Sequence, residues 1–517
     1  MNEFALSLLL LGALSSGNQL PFWMSSNQFG LMPESSGALA LFQAGTQYDA
    51  AKDFQWKWGV SLAGNYERFP VKPGMTTTGS GMTTVGSGMT EGLVGNPDGR
   101  TADFNLMVDE LYASVKWKMI RLDAGMKRFD LDFYGAGTPT LGSMSTTGGH
   151  ICWSGNARTM PGYLITVEPF PISKRKIVWL HGAFGDFKTI DNRYVKGALV
   201  HRTNAFIMFR MSPRLDFHFG LDHIATWAGT SPVYGEMPVT FDNYYRMLLG
   251  KHAGEDGTAS DRRNTIGDQL GSLVFRFDWR GDDWKVALQH DAPYADRSGM
   301  RSQNIPDGVN TIWFGFDNKD RWVTDVVYEY QYSMWQSGTR HDRPATPEES
   351  ARANPNDPWK QARHVQGGGD NYFNNGEYKS GWTYYGRTIG NPLFVPKGTH
   401  AGTWTGRETV LGVENNRLKA HHISVAGKLF RKMPYKLMLT YSQNYGTYKQ
   451  PYIAPSQWGK PWGAVEETPL HQVSGAFMGE IPLKHFAVTY GIYADRGQLL
   501  PDVFGATLGL RYSFQMK

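Results

Sequence analysis

VFGATLGLRYSF, residues 503–514, is the stretch of this 517-residue chain that decides its fold. Its apolar residues fall on alternate positions: Phe504, Ala506, Leu508, Leu510, Tyr512 and Phe514. Alternation is the period of a β-strand and not of a helix. A soluble sandwich turns the apolar face of such a strand to its core, whereas a transmembrane barrel turns it to lipid. Whether the pattern recurs, and at what length, separates the two.

The alternation recurs along the chain in residues 54–67, 272–280, 325–333, 435–442 and 486–493. The polar faces of these stretches carry Lys, Arg, Asp and Glu in mid-strand, which the hydrated lumen of a barrel can hold as paired charges. Strands of roughly ten residues cross a bilayer at a tilt. The sequence therefore predicts an all-β fold, a transmembrane antiparallel β-barrel with short periplasmic turns and long extracellular loops.

The composition fits a barrel better than the other classes of membrane protein. The mean hydropathy is −0.42, and the chain has no run of about 18 apolar residues, which excludes a helical membrane protein. Aromatic residues make up 14% of the chain, and Trp and Tyr concentrate at membrane interfaces. The net charge of +5 is too small to indicate nucleic acid, and a single cysteine, Cys152, rules out an intramolecular disulfide.

Nothing in the sequence divides the chain, and we interpret residues 1–517 as a single outer-membrane β-barrel domain. Residues 4–17, FALSLLLLGALSSG, suit either a first strand or the remnant of a signal peptide. Partial alternation favours a first strand that pairs with the closing strand, although Leu9 and Leu11 break the pattern. The aromatic end of the closing strand resembles the signal by which the barrel-assembly machinery recognises its clients.

Two kinds of connector alternate along the chain. Tight turns are predicted around Pro213, Gly281 and Pro434, whereas residues 73–99 and 338–398 are long loops. The first of these loops contains a small Gly/Thr/Ser/Met repeat, and the second should form a short helix capped by Thr346.

A search for catalytic signatures finds none of the common nucleophile, zinc-protease, phosphate-loop or dithiol motifs. We therefore expect no enzyme, no cofactor and no metal. Asp291, Asp296 and Asp307 offer oxygen ligands for Ca²⁺, but a loop network with Arg297 and Arg301 is the favoured explanation. His421 and His422 should point to opposite faces of one strand, which makes them a poor chelate.

Aromatic rings beside amides and arginines suggest where a sugar would bind, because a flat ring covers the apolar face of a sugar and the polar groups bond its hydroxyls. We expect residues 153–158 and 369–393 to form an outward-facing surface that meets polysaccharide. The alternative is that these segments fold inward as a plug or lid. The candidate polysaccharide-binding residues are Trp153, Asn156, Arg158, Tyr372, Asn374, Trp382, Arg387 and Asn391.

Inward charges form a second candidate set, because an unpaired charge shielded from water is costly. If Leu111 and Tyr328 face lipid, Glu110 and Glu329 face the lumen. The predicted lumen charge network consists of Glu110, Arg128, Arg276 and Glu329.

Seven stretches spread over the chain together resemble the Wzi-type capsule-assembly outer-membrane proteins. They are LPFWMSSNQFGLMP (20–33), DELYASVKW (109–117), SGNARTMP (154–161), DRSGM with DGV (296–309), YEYQYSMWQSG (328–338), GDNYFNNGEYKSGWTYYGRTIGNPL (369–393) and YSQNYGTY (441–448). The resemblance implies a closed barrel of 18 strands in a Gram-negative outer membrane. It also implies a lectin-like, non-catalytic role in holding or organising capsular polysaccharide.

The leading hypothesis is therefore a monomeric barrel of the cell outer membrane that binds surface polysaccharide. The expected partners are that polysaccharide, outer-membrane lipids, the barrel-assembly machinery, and a polysaccharide exporter or lipoprotein, with no nucleic acid. The alternative is a porin-like channel for small solutes or saccharides, and a barrel hydrolase is a more distant one. The sequence leaves open whether the lumen is open or plugged.

Overall fold

The computed structural model describes residues 4–49, 51–68, 103–128, 144–146, 150–263, 265–295, 304–337, 343–344, 364–365, 370–396, 412–454, 456 and 466–516. Several sequence predictions lie outside these residues. They are the repeat in residues 73–99, the helix after Thr346, and the roles of Asp296, Arg297 and Arg301.

Within the described chain, 18 strands form one closed antiparallel sheet. The alternation predicted the antiparallel barrel, and the resemblance implied the number of strands. The strands are β1 (Phe4–Ser15), β2 (Gly37–Thr46), β3 (Phe54–Glu67), β4 (Asp103–Trp117), β5 (Ile120–Met126), β6 (Pro161–Pro171), β7 (Val178–Lys188), β8 (Leu199–Ser212), β9 (Leu215–Trp227), β10 (Asp268–Arg280), β11 (Trp284–Tyr294), β12 (Gly308–Phe316), β13 (Asp325–Tyr332), β14 (Leu418–Leu429), β15 (Met433–Asn444), β16 (Leu470–Pro482), β17 (Phe486–Gly497) and β18 (Val503–Met516).

The first and last strands close the barrel. β1 pairs with β2 on one side and with β18 on the other, with Gly12 opposite Leu508 and Leu10 opposite Leu510. Residues 4–15 are thus a barrel strand, as predicted. Closure leaves no sheet edge, and a closed sheet is the form in which strands can cross lipid.

Side chains alternate between the outside and the lumen as the pattern predicted. In β18, Leu508 is 67% exposed on the outside, whereas Thr507 is 8% exposed on the lumen side. One irregularity changes the phase. Ser61 of β3 lies opposite Glu110 of β4, and the next residue, Leu62, lies opposite Val108. Asp109 of β4 is therefore a bulge residue. A bulge re-aims side chains, and Asp109 and Glu110 consequently both face inward.

Connections at the two ends of the barrel differ in length. The turn end carries the connections at residues 118–119, 213–214, 281–283 and 430–432, among others. The loop end carries the connections between β1 and β2, β5 and β6, β9 and β10, and β13 and β14, among others. In outer-membrane barrels the short turns are periplasmic.

The helices described in this structure are short: α1 (Phe22–Ser25), α2 (Phe241–Leu248) and α3 (Ala259–Arg263). No described helix is long and apolar enough to cross a membrane. Among the described loop residues there are four small two-stranded sheets. They pair Gly229–Ser231 with Gly235–Met237, Arg343–Pro344 with His364–Val365, Thr383–Tyr384 with Arg387–Thr388, and Val395–Pro396 with Val413–Asn415.

The buried core of the molecule lies inside the barrel. Apolar side chains of the loop-end segments pack there against inward-facing wall residues. Leu9 and Leu11 of β1 face inward and pack on the cluster that contains Trp23 and Met24. This packing explains why β1 breaks the alternation, since its inner face is apolar where a loop-end segment covers it.

Candidate functional site

Three segments of the loop end fill the lumen, and together they are called the plug: residues 16–36, residues 144–146 with 150–160, and residues 370–396. Their backbones lack regular ladders, so their polar groups need other partners once they are buried. The barrel wall supplies many of these partners from inward-facing positions.

The second plug segment is fixed to the wall at two places. Glu329 of β13 accepts hydrogen bonds from the Ser145 hydroxyl at 2.5 Å and from the Thr146 amide at 2.7 Å. The Met144 carbonyl accepts from His422 Nε2 at 2.7 Å and from the Ser424 hydroxyl at 2.6 Å. His421, the neighbour of His422, faces outward and contacts Tyr328, so the two histidines lie on opposite faces as predicted.

Further along this segment, His150 and Ile151 bond to β9, β10 and β11. His150 Nε2 lies 3.2 Å from a carboxylate oxygen of Asp222 and 2.9 Å from the Ser272 hydroxyl. The Ile151 amide donates to Asp291 at 2.7 Å. Asp291 thus anchors plug backbone, whereas Asp222 holds the His150 side chain.

The first plug segment reaches the opposite wall. The Phe22 amide donates to Asp495 of β17 at 2.7 Å, and the Trp23 indole donates to Thr440 of β15 at 3.1 Å. Near its end, the Glu34 amide donates to Glu67 at 3.0 Å. α1 is therefore held deep in the lumen although its chain enters from the loop end.

The third segment locks onto the second. The Trp382 indole donates to the Cys152 carbonyl at 2.6 Å, and the Asn156 side chain donates to the Thr388 carbonyl at 3.0 Å. Asn391 donates from its amide to the Ile151 carbonyl at 2.9 Å and from its side chain to Gln331 at 2.6 Å. Plug and wall thus form one hydrogen-bonded body.

Aromatic packing completes this interface. The rings of Trp153 and Trp382 meet edge to face with centroids 5.8 Å apart. The guanidinium of Arg202 lies 4.6 Å from the Trp153 ring and pairs with Asp222 at 3.1 Å. A cation over an aromatic face is favourable, and more so when water is excluded.

Most of the predicted sugar-binding residues are buried in the plug. Trp153, Asn156, Tyr372, Trp382 and Asn391 are all buried, and their polar atoms bond to the protein itself. The expectation that they form an outward-facing surface was wrong. Their rings and amides contact other parts of the protein and close the lumen. Whether any residue of the predicted set binds polysaccharide stays a prediction.

Asn374 and Tyr372 hold the third segment in shape. Asn374 bonds the amide and the carbonyl of Val413, each at 2.8 Å. The Tyr372 hydroxyl donates to Asp307 at 2.7 Å, and Asp307 also accepts from the amides of Trp335 and Gln336. Burial raises the pKa of Asp307 to about 6.

Arg158 and Arg387 are only partly buried and belong to a patch called the arginine face: Phe29, Glu34, Arg128, Arg158, Tyr385 and Arg387. The guanidinium of Arg158 lies 4.3 Å from the Tyr385 ring, and that of Arg128 lies 4.3 Å from the Phe29 ring. Arg387 pairs with Glu34 at 2.9 Å. Gly30, next to Phe29, packs closely on Arg158, since a Cβ on Gly30 would lie 3.0 Å from the Arg158 side chain.

The backbone of the arginine face is strained. Phe29 and Tyr385 have φ values of +53° and +48°, a left-handed conformation that is unfavourable for a bulky residue. Burial lowers the pKa of Arg158, and no described carboxylate lies within ion-pairing distance of it. The patch therefore presents two rings and the Arg158 guanidinium, which forms no ion pair with a described carboxylate, an arrangement suited to hydroxyls or carboxylates of a sugar.

Several inward charges of the wall form ion pairs. Arg128 bonds Asp109 at 2.6 Å, and its amide donates to Glu110 at 2.8 Å. Arg276 and His218 both bond Asp278, at 2.8 and 3.0 Å. Glu329 differs from the other predicted charges because its partners are hydroxyls and an amide of the plug.

Sequence reasoning missed Asp109, Asp222 and Asp495 as anchors. Asp222 and Asp495 fall on the inward phase of their strands, so the alternation in the sequence could have identified them. Asp109 faces inward only because of the bulge. Among the described residues, no group of three His, Cys, Asp or Glu side chains is placed to hold a metal ion.

Comparisons with known proteins concern the barrel as a whole. No protein-family model and no curated protein matches the chain. Among solved structures, Wzi, an outer membrane protein involved in group 1 capsule assembly in Escherichia coli and a carbohydrate-binding β-barrel, is 12% identical, with a TM-score of 0.47 over 98% of this chain and 84% of that chain.

Two Occ proteins are also among the similar structures. OccAB2 of Acinetobacter baumannii is 10% identical, with a TM-score of 0.45 over 100% of this chain and 98% of that chain. OccK7 (OpdD) of Pseudomonas aeruginosa is 10% identical, with a TM-score of 0.41 over 100% and 99%. At identities and TM-scores this low, the likenesses carry no argument about ligand or family, and the fold rests on the strand pairing described above.

Proposed function

We propose that this protein is an outer-membrane β-barrel that binds or organises surface polysaccharide, capsular polysaccharide in particular, and catalyses no reaction. The observation that carries the proposal is the arginine face. It is a patch of stacked rings and guanidinium groups held by strained backbone on a plug that fills the lumen.

The strain supports a binding role, because unfavourable backbone persists only where the surrounding structure enforces it. Phe29 and Tyr385 hold their rings against Arg128 and Arg158 at distances typical of stacking. A preformed patch of this kind loses little side-chain entropy when a sugar ring covers it.

The resemblance to capsule-assembly proteins supports the class of ligand. Three of the stretches that carry it, residues 20–33, 154–161 and 369–393, fall within or overlap the plug segments. The stretches therefore coincide with the structure that closes the barrel and presents the arginine face.

The porin-like alternative requires an open path through the barrel. A cavity of about 400 Å³ lies between wall and plug, lined by Met24, Met32, Met144, Lys436 and Glu480 among others. The plug segments that line it also bond to opposite walls of the barrel, which favours a closed lumen over a channel.

Binding of the detergent-purified protein to an array of bacterial surface polysaccharides tests the proposal. We expect Arg158→Gln and Tyr385→Ala to weaken binding by roughly tenfold, about 1.4 kcal/mol, with the barrel still folded. Arg214→Gln is the matched control, since Arg214 lies exposed at the turn end beside Asp282. Wild-type binding by both plug variants would overturn the assignment of the arginine face.

The other expected partners, which are outer-membrane lipids, the assembly machinery and an exporter or lipoprotein, remain part of the proposal, as does the monomeric state. Capsule retention by cells that carry the Arg158→Gln variant would report on the biological role. Retention equal to that of the wild type would argue against it.

A further inference from the structure

The loop-end connection of residues 228–267 folds against the outside of the barrel and not into its lumen. Its buried residues Met247, Ala253 and Ile266 form a separate apolar cluster with Ala225 and Trp227 of β9. Ala225 and Trp227 continue the outward phase of β9, which begins with the lipid-facing Phe217 and Phe219. The cluster therefore covers the outer wall directly beyond the apolar band.

Polar contacts fix α2 at this level. The Tyr244 hydroxyl donates to Asp186 of β7 at 2.9 Å, and the Tyr163 hydroxyl donates to the same carboxylate at 2.5 Å. His201 of β8 lies 2.9 Å from Asp186. A ring of tyrosines and polar groups at the edge of an apolar band is typical of the membrane–water interface.

α2 has three faces, because residues four apart lie on the same side of a helix. Asn243 and Met247 form the buried face, on which Met247 packs with Ala225 and Trp227 of the wall. Asp242 and Arg246 form an ion pair at 2.6 Å on the second face. Phe241, Tyr245 and the C-cap residue Leu249 form the third face and are 84%, 50% and 50% exposed.

With 3.6 residues per turn, the exposed apolar face lies opposite Asn243 and Met247, and the Asp242–Arg246 pair lies on one flank. The helix therefore turns this apolar face away from the barrel wall, towards the surroundings of the barrel. An apolar face of this size would be a liability in water, and the exposed Val233, Tyr234 and Val239 nearby enlarge it.

We propose that α2 and the adjoining hairpin lie in the lipid surface at the loop end of the barrel, with Phe241, Tyr245 and Leu249 among the acyl chains. The occupant of the apolar face is lipid, because the face continues the lipid-facing band of β8 and β9. Amphipathic helices bind interfaces through buried apolar area in this way.

Site-directed spin labelling tests the proposal in phosphatidylcholine vesicles. The single native cysteine, Cys152, is buried, so labels attach selectively to the variants F241C, Y245C and L249C. D242C and D256C are matched controls on charged positions of the same loop. Retention of the heat-modifiable folded form on gels is required of every variant.

We expect the three apolar positions to favour oxygen over a nickel chelate as relaxing agent by several-fold, and the two controls to favour nickel. Nickel-favouring relaxation at all five positions would overturn the proposal by showing the face in water. Protection from both agents, with spectral broadening that grows with protein density, would also overturn it and indicate a second copy of the chain as the occupant.

Discussion

Leu508 and Thr507 are adjacent residues of β18 with opposite surroundings, and they allow a direct test of the membrane position. Leu508 lies near the middle of its strand on the outside, so Leu508→Arg places a charge near the bilayer midplane at a cost of roughly 2–4 kcal/mol. Thr507 lines the cavity beside the plug, where an arginine has room. We expect urea unfolding in vesicles to show a much smaller loss for Thr507→Arg, and equal losses would contradict the facing.

Asp307 predicts a pH effect at the scale of one carboxyl group. Its folded pKa of about 6 exceeds the ordinary value of 3.8, so the folded state binds this proton more tightly. The resulting stabilisation is fully present below the ordinary pKa and is lost as pH rises through about 6. Relative to Asp307→Asn, the wild type should therefore gain up to about 3 kcal/mol of unfolding free energy between pH about 7 and pH about 4. Parallel pH profiles of the two proteins in urea unfolding would contradict this.

At the scale of elements, the plug segments depend on few wall residues. Glu329→Ala leaves the buried Thr146 amide without its acceptor, which should cost about 1–3 kcal/mol. Asp242→Ala, on an exposed helix face, should cost far less. Thermal unfolding followed by gel mobility compares the two variants, and equal midpoints would mean that Glu329 does not anchor the plug.

The elements also show what the sequence could reveal. Alternation located the barrel strands because each strand has one lipid-facing side and one lumen side. The plug gave no such signal, since its backbone follows irregular paths set by single contacts such as Phe22 to Asp495. The only sequence sign of the plug that we find is in the wall strands, where Leu9, Leu11, Leu39 and Leu41 are apolar residues at inward-facing positions. An apolar inner face indicates that something dry covers it.

The same physics explains the wrong expectation about the aromatic segments. Composition identified Trp153 and Trp382 as rings that need a partner, but composition does not distinguish a sugar from another ring of the chain. The three-dimensional structure makes each the partner of the other. The arginine face, with Phe29 and Arg128 from distant parts of the sequence, could not be assembled without the fold.

At the scale of the whole molecule, barrel and plug predict a closed lumen. In planar bilayers we expect the wild-type protein to show no stable conductance on the scale of a general porin, because plug segments bond to opposite walls and inward charges such as Arg276 and Asp278 are paired. A variant in which residues 20–32 are replaced by a short glycine–serine linker is the positive control. It removes α1 and the contacts of Phe22 and Trp23 with β17 and β15, and it should conduct if it retains the heat-modifiable barrel. Stable porin-scale steps from the wild type would instead favour the channel function. A closed wild type beside a conducting variant would show that the first plug segment seals the barrel, leaving the arginine face as a surface for ligand and not the mouth of a pore.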